Sequence, residues 1–379
     1  MRLSRRVGDI PPSGIRRYFE LAEEVDDIIS LGVGEPDFSA PWPVREAAID
    51  SLERGRTSYT TNRGRRDLRE AIARFSANRY GLEYDAESEI LVTTGASEAV
   101  DLAIRALVNP GDVVAVAEPT FVSYRPLLQL IGAEVIPIPT REVDDFRLTP
   151  DAIIDAGAET ADLLILCYPN NPTGAIMTSE DLSAVASLAI EHDIQIISDE
   201  IYSELTYGSD HVSIASVPEM RDRTIVINGF SKAFAMTGLR LGYALAPEGT
   251  TDAMNRIHQY AMLSAPTTAQ YAALEGLEHC LDDVIDMRNQ YNRRRKFVLS
   301  RFAEMGLRCF EAKGAFYVFP ECPGADDEAF AENLLQSEGV AVVPGRVFGE
   351  AGEGHLRVSY ATGLEQLREA MDRIQRFIS

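Results

Sequence analysis

The sequence predicts an α/β protein: a larger domain with a mainly parallel, seven-stranded sheet flanked by helices, followed by a smaller α+β domain. Between residues 89 and 247, apolar runs of strand length alternate with amphipathic stretches of helical length. This alternation is typical of a buried parallel sheet that is covered on both faces. At 379 residues, the chain also exceeds the length at which one hydrophobic core usually stops growing, so two domains are expected.

The elements of the larger domain can be placed from these runs. Strands are predicted at 90–93, 113–117, 135–138, 163–167, 194–197, 224–227 and 241–246, and the main helices at 97–107, 121–130 and 179–191.

The remaining chain predicts an arm and a second domain. After Pro266 long helices continue to about residue 305, and short strands at 316–319, 340–343 and 356–359 then alternate with helices. The prolines of the first forty residues predict an arm that joins this second domain. The predicted limits are 1–45 for the arm, 46–265 for the large domain, and 266–379 for interdomain helices and the small domain.

Charge and hydropathy exclude several functions. The net charge of −23 is unsuited to nucleic acids and to anionic membranes, whose phosphates attract basic surfaces. The apolar runs are too short to span a membrane, and the basic N-terminus lacks the apolar core of a signal peptide, so a cytoplasmic location is expected. The cysteines and histidines show no CxxC or HExxH spacing, so neither a metal site nor a disulfide framework is predicted.

Lysine is unusually scarce. The chain has 36 basic residues, but its lysines are only Lys232, Lys296 and Lys313. A surface of Asp, Glu and Arg favours adaptation to high salt, although compositional drift gives the same bias. The shortage leaves three candidates for any chemistry that needs an amine.

Several predicted strands are followed by residues suited to ligand binding. Gly95, Ala96 and Ser97 lead from the first strand directly into a helix, where backbone amides and the helix dipole form an anion site suited to phosphate. An ordinary helix start, with Ser97 as the capping residue, explains the same residues. Pro169 to Gly174 form a rigid turn after the strand at 163–167.

Asp199 and Lys232 also follow buried strands. A carboxylate at such a strand end needs a partner, and the protonated ring nitrogen of a cofactor is one; alternatively, Asp199 merely begins the next helix. Arginine cannot form an imine, whereas a desolvated lysine can lose its proton and attack a carbonyl. Lys296 closes a run of arginines and Lys313 precedes a turn, so Lys232 is the reactive candidate. Together, the strand-end segments predict one crevice.

In their order and spacing, these segments resemble the class I/II aminotransferases of the aspartate aminotransferase type, which depend on pyridoxal 5′-phosphate and have PLP fold type I. The resemblance covers essentially the whole chain. The segments that carry it are Gly32 to Phe38, Tyr59-Thr60, Pro169 to Gly174, Ser198 to Tyr202, Ser231 to Arg240 and Leu356 to Tyr360.

The resemblance implies roles for the centre of the site. Pyridoxal 5′-phosphate would be held as a Schiff base on Lys232, whose released amine would then move a proton between the substrate α-carbon and the cofactor. Asp199 would pair with the pyridine nitrogen, Asn171 and Tyr202 would hydrogen-bond the ring oxygen, and Phe121 would stack on the ring. Relatives with aspartate specificity often carry tryptophan at the last position.

It also implies how the two anionic groups are bound. The phosphate would be held by Gly95, Ala96, Ser97, Ser231 and Arg240, and by Tyr59 from a neighbouring subunit, so a homodimer is required. Gly229 stands where many relatives have a phosphate-binding serine. The substrate α-carboxylate would be bound by Gly34, Asn171 and Arg357, the arginine through a bidentate fork.

The implied reaction moves the amino group of an L-amino acid to a 2-oxo acid, expected to be 2-oxoglutarate, in two half-reactions with ping-pong kinetics. We expect an acidic donor such as aspartate, with Arg16, Arg17 or Arg63 on its distal carboxylate. An apolar pocket would instead favour aromatic or aliphatic donors.

Other functions compete with this interpretation. A carbon–sulfur lyase on the same fold would need no oxo-acid acceptor. A non-catalytic PLP-binding regulator is disfavoured because the segment before Gly32 is short for a DNA-binding domain and the charge is negative. A nicotinamide-dependent dehydrogenase is disfavoured because the chain lacks a GxGxxG fingerprint.

Overall fold

The computed structural model describes residues 4–8, 10–12, 14, 15, 17, 18, 27–324 and 326–379. Its strands are β1 (Ile29–Ser30), β2 (Ile90–Thr93), β3 (Val113–Glu118), β4 (Glu134–Pro139), β5 (Leu163–Cys167), β6 (Gln195–Asp199), β7 (Thr224–Gly229), β8 (Gly242–Leu245), β9 (Tyr317–Val318), β10 (Val340–Ala341), β11 (Val343–Pro344) and β12 (Leu356–Ser359). Its α-helices are α1 (Arg5–Gly8), α2 (Trp42–Glu53), α3 (Arg66–Tyr80), α4 (Ala96–Leu107), α5 (Tyr124–Ile131), α6 (Pro150–Asp155), α7 (Ser179–Glu191), α8 (Glu248–Ala261), α9 (Thr267–His279), α10 (Leu281–Glu304), α11 (Asp327–Glu338) and α12 (Leu364–Ile378).

The larger sheet has seven strands in the order β2-β8-β7-β6-β5-β3-β4. The five strands β3 to β7 are parallel to one another. Strand β8 is antiparallel to its two neighbours, β2 and β7. The predicted mainly parallel, seven-stranded sheet is therefore confirmed, and each predicted strand lies within two residues of an observed one.

Burial explains why β5 reads as an unbroken apolar run. All five of its residues are buried, and they alternate between two cores. Leu164 and Leu166 pack with the helix α7 side, whereas Leu163, Ile165 and Cys167 pack with the α4 and α5 side. Helices thus cover both faces, which a parallel sheet requires. The edge strand β4 differs: it is partly exposed and contains Pro137 and Pro139, which an edge tolerates.

The C-terminal portion has its own small sheets. Strands β11, β12 and β9 form an antiparallel sheet, and β1 pairs in parallel with β10, Ile29 opposite Val340. The first described strand therefore lies on the C-terminal portion, as expected for a joining arm. The limits 1–45, 46–265 and 266–379 stay a prediction. Within the described residues, each helix is too short or too polar to span a bilayer.

Candidate active site

A crevice of about 440 Å³ lies at the carboxyl end of the parallel strands. The predicted site residues that line it are Gly34, Ala96, Ser97, Phe121, Asn171, Asp199, Tyr202, Ser231, Lys232, Arg240 and Arg357. Gly95 lies just behind its wall, where an added Cβ would come within 2.8 Å of an Arg240 Nη2 atom. Tyr59 is elsewhere: it is 78% exposed and does not line the crevice of its own chain.

The amine of Lys232 lies at the centre of the crevice. Its Nζ donates a 2.5 Å hydrogen bond to the carbonyl oxygen of Gly34. Burial, and then the neighbouring guanidinium groups of Arg357 and Arg240, lower the pKa of Lys232 to about 8. An amine with this pKa is partly unprotonated near neutral pH, so it is a competent nucleophile and proton acceptor.

Asp199 ends β6 as a buried carboxylate. Tyr124 donates a 2.7 Å hydrogen bond to its Oδ2 atom, and the amide of Ile201 donates to Oδ1 at 3.2 Å. Burial raises the pKa of Asp199 to about 6. Among the described residues no basic group lies within 4.0 Å of this carboxylate, which leaves it suited to a cationic ligand group such as a protonated ring nitrogen.

Arg357 is a buried cation on β12. Its Nη1 donates to Asn171 Oδ1 at 2.9 Å and its Nη2 to the carbonyl of Gly32 at 2.6 Å. The guanidinium lies between the rings of Tyr317 and Phe348, 4.6 and 4.8 Å from their centroids. Its Nε is buried without a partner in the described chain. A buried cation with free donors and no carboxylate partner in that part of the chain is suited to an anionic ligand.

Two tyrosines close the wall beside Arg357. The hydroxyls of Tyr202 and Tyr317 lie 2.9 Å apart. Burial raises the pKa of Tyr202 well above its ordinary value, so its phenol keeps its proton and can donate a hydrogen bond. The Tyr317 hydroxyl also explains why residue 34 is a glycine, because a Cβ atom on residue 34 would lie only 2.7 Å from this hydroxyl.

The start of α4 has the geometry that suits an anion. Gly95 is the N-cap, with φ 80° and ψ 163°, and no side chain caps the helix. The prediction that Ser97 caps it is therefore wrong: a chain turn at positive φ, which glycine tolerates, moves the helix start to Ala96. Within the described residues the amides of Ala96 and Ser97 have no acceptor. Ser231 and Arg240 line the same end of the crevice, so donors and positive charge converge there.

The structure also brings in residues that sequence reasoning missed. Tyr124 and Tyr317 contact Asp199 and Tyr202 across 75 and 115 residues of sequence, and spacing gave no signal for either contact. For Tyr124 the one available signal is its place three residues after Phe121, in the same predicted helix.

The arginines considered for a distal carboxylate are placed differently. Arg17 pairs with Glu332 at 2.5 Å, and Arg63 pairs with Asp252. Neither lines the crevice of this chain. Arg16 lies outside the described residues.

One cluster of metal-ligand side chains lies outside the crevice. Glu142, Glu321 and His355 bring ligand atoms within 4.8 Å of one another. Arg308 pairs with both glutamates, at 3.2 and 3.6 Å, and so already offsets part of their negative charge. The expectation of no metal site stays a prediction.

Comparison with known proteins gives a consistent result. A family model described as "Aminotransferase class I and II" matches residues 26–374. The chain is 50% identical to a putative aminotransferase, YugH, of Bacillus subtilis, over 99% of this chain and 98% of that protein. It is 42% identical to aromatic-amino-acid aminotransferase 2 of Thermococcus litoralis, over 100% and 98% of the two chains. The aspartate aminotransferase of Thermus thermophilus, solved with maleate, superposes with a TM-score of 0.94 at 39% identity, covering 99% of this chain and 100% of that one.

Proposed function

Since the chain belongs to the class I and II aminotransferases, which use pyridoxal 5′-phosphate, we propose that Lys232 is the residue that holds the cofactor and Arg357 the residue that binds the substrate carboxylate. The observation that carries this assignment is the convergence in a single crevice of the Lys232 amine, the Asp199 carboxylate and the Arg357 guanidinium, the last two without an ion-pair partner among the described residues. The end of the crevice that Ala96 and Arg240 line adds an anion site for the cofactor phosphate.

The described residues fit the cofactor at each of its polar groups. Pyridoxal 5′-phosphate supplies, when bound, a carbonyl that condenses with amines and a ring that accepts negative charge from the substrate α-carbon. Asp199, whose carboxylate is ionised above about pH 6, would hold the proton of the ring nitrogen. The neutral phenol of Tyr202 would donate to the ring oxygen, and Phe121, which lines the crevice, would stack on the ring.

Lys232 acts as tether and then as proton carrier. Once free of the cofactor, the Lys232 amine, with its pKa near 8, would accept the α-proton of the substrate and carry it to the cofactor. Arg357 would hold the α-carboxylate of the substrate so that the Cα–H bond faces the amine of Lys232. Asn171, whose Oδ1 accepts from Arg357, is held with its amide Nδ2 free to donate.

For the amino donor we propose large apolar and aromatic amino acids ahead of aspartate. Ile15, Phe121 and Leu127 line the crevice. Its cations within the described chain are Lys232, Arg240 and Arg357, each already assigned. The relatives include both an aromatic-amino-acid aminotransferase, 42% identical, and aspartate aminotransferases, 43% and 39% identical, so the order rests on the lining of the crevice. The distal carboxylate of 2-oxoglutarate then needs a cation from Arg16 or from a second subunit.

Peptide mapping tests the cofactor assignment. Borohydride reduction of the holoenzyme, followed by digestion and mass spectrometry, should place the cofactor mass on the peptide containing Lys232. Lys296 and Lys313 serve as internal controls, because they are the only other lysines in the chain. Label on either of them would overturn the assignment.

We also propose a homodimer in a high-salt cytoplasm. Tyr59, Tyr260, Met262 and Leu263 are exposed apolar side chains, and Asn62 links their two segments by donating 2.7 Å to the Leu263 carbonyl. A second copy would cover this surface and receive Tyr59 at its own anion site. The charge of −23 supports the high-salt setting, which activity that rises with KCl would test.

A further inference from the structure

A buried hydrogen bond between a histidine and a glutamate lies beneath the start of α4. His258 on α8 is fully buried, and its Nδ1 lies 2.7 Å from Oε1 of Glu98. The other oxygen of Glu98 accepts a 2.5 Å hydrogen bond from the amide of Thr94. One carboxylate therefore ties α8 to the turn that leads from β2 into α4.

This turn is the one that forms the proposed phosphate site. It contains Gly95 and the amides of Ala96 and Ser97, which have no acceptor among the described residues. Glu98 lies in the first turn of the same helix but does not line the crevice. A carboxylate at a helix N-terminus competes with a bound phosphate for the same amides and dipole. His258 gives Glu98 a partner on the side away from the crevice.

Among the described residues the imidazole of His258 makes one hydrogen bond. A carboxylate accepts hydrogen bonds, so Nδ1 is the donor in the bond to Glu98. Nε2 is buried without a partner in the described chain. An unpaired buried Nε2 costs free energy of folding. The favourable polar interaction of the imidazole is therefore its Nδ1 bond to Glu98.

We propose that His258 is a positioning residue for the cofactor phosphate. Through Glu98 it fixes the turn whose amides bind the phosphate, and it holds the Glu98 carboxylate away from that site. The inference rests on the proposed function, because it requires the phosphate to lie at the start of α4.

The test compares two ligands that differ by the phosphate alone. Dissociation constants of the apoenzyme for pyridoxal 5′-phosphate and for pyridoxal would be measured in wild type, His258→Leu and His258→Asn. Leucine removes the donor, whereas the asparagine amide places a donor near the Nδ1 position. The expected result is a loss of about tenfold or more in phosphate-ligand affinity for His258→Leu, with pyridoxal affinity within about twofold. His258→Asn should restore most of the difference.

A spectroscopic readout accompanies the binding data. The ³¹P resonance of the bound cofactor should shift in His258→Leu and return towards the wild-type position in His258→Asn. His192→Leu, at an exposed histidine, should change neither readout. If His258→Leu does not fold, His258→Met removes the same donor with a more flexible side chain.

Several results would overturn the inference. A parallel loss of affinity for both ligands would give His258 a general structural role, and unchanged affinities for both would give it none at the phosphate site. If the wild-type protein binds pyridoxal as tightly as pyridoxal 5′-phosphate, the proposed phosphate site itself fails. That outcome is read from the wild type alone and is distinguishable from failure of the His258 assignment.

Discussion

The phenol of Tyr124 donates a 2.7 Å hydrogen bond to Oδ2 of Asp199, and both side chains are buried. Burial raises the pKa of this carboxyl to about 6, and the bond from Tyr124 is the largest of the influences that oppose the rise. Tyr124 therefore helps to keep Asp199 ionised, which the carboxylate needs in order to hold a protonated ring nitrogen.

We expect Tyr124→Phe to lower kcat/KM by about 10- to 100-fold, because a hydrogen bond to a charged group contributes roughly 1.5–3 kcal/mol. The acid limb of the pH profile should also move to higher pH, since the pKa of Asp199 rises when the bond is removed. Steady-state kinetics between pH 5 and 9 measure both effects. Tyr168→Phe removes another buried phenol, which donates to the Phe146 carbonyl, and should leave the acid limb in place. An unmoved acid limb in Tyr124→Phe would contradict the role.

The residues at strand ends could be predicted from the sequence because buried strands are recognisable as apolar runs. Asp199 and Lys232 each follow such a run, and parallel strands bring their ends to one edge. Tyr124 and Tyr317 could not be predicted, since their contacts depend on how helices and loops pack over the sheet. The helix cap predicted at Ser97 lies two residues beyond the observed N-cap, Gly95, because the sequence pattern does not reveal the positive φ of that glycine.

The ionisation of Asp199 should weaken the apoprotein. Its pKa is raised from 3.8 to about 6, so the folded state binds the proton more tightly than the unfolded state. Stability is therefore lost as the pH rises from about 4 to 6, and it stays lower above that window. We expect Asp199→Asn to escape this loss and to be more stable by about 3 kcal/mol at pH 7.5.

Urea unfolding of the two apoproteins at pH 4.5 and 7.5 measures this difference. Asp222→Asn, at a carboxylate whose side chain is 85% exposed, should show the wild-type pH dependence. Parallel pH dependence in wild type and Asp199→Asn would show that the carboxyl titrates normally. The asparagine variant should still lose transamination, because the amide cannot hold the ring proton as an ion pair.

Cofactor capture should report the pKa of Lys232. Only the free amine attacks a carbonyl, so the rate at which apoenzyme captures the cofactor should rise with pH and level off with a midpoint near 8. Arg357→Gln should move this midpoint upwards, because it removes a cation that lowers the pKa. Stopped-flow absorbance between pH 6 and 10 measures the rates. A capture rate that still rises steeply at pH 10 would show that Lys232 has an ordinary lysine pKa.

Arg357→Lys should separate charge from geometry. Lysine keeps the positive charge but loses the planar fork and the bonds to Asn171 and Gly32. We expect KM to rise about 100-fold for the amino donor and for the oxo acid alike, with cofactor affinity changed only a few-fold. Arg295→Lys, at a buried arginine that donates to the Ala312 carbonyl, is the control for lost arginine packing. Equal increases in KM in the two variants would contradict the proposed role of Arg357 in binding the substrate.

Mixing two inactive or weakened variants tests whether Tyr59 serves a second subunit. Lys232→Ala lacks the essential amine, and Tyr59→Phe should bind the cofactor phosphate weakly because its hydroxyl is lost. If Tyr59 reaches the neighbouring subunit, a mixed dimer contains one site with both native residues and one site with neither. Unfolding and refolding an equimolar mixture should therefore raise activity at limiting cofactor above that of the two proteins refolded separately. The same activity in both samples would place Tyr59 in its own subunit's site or outside the site altogether.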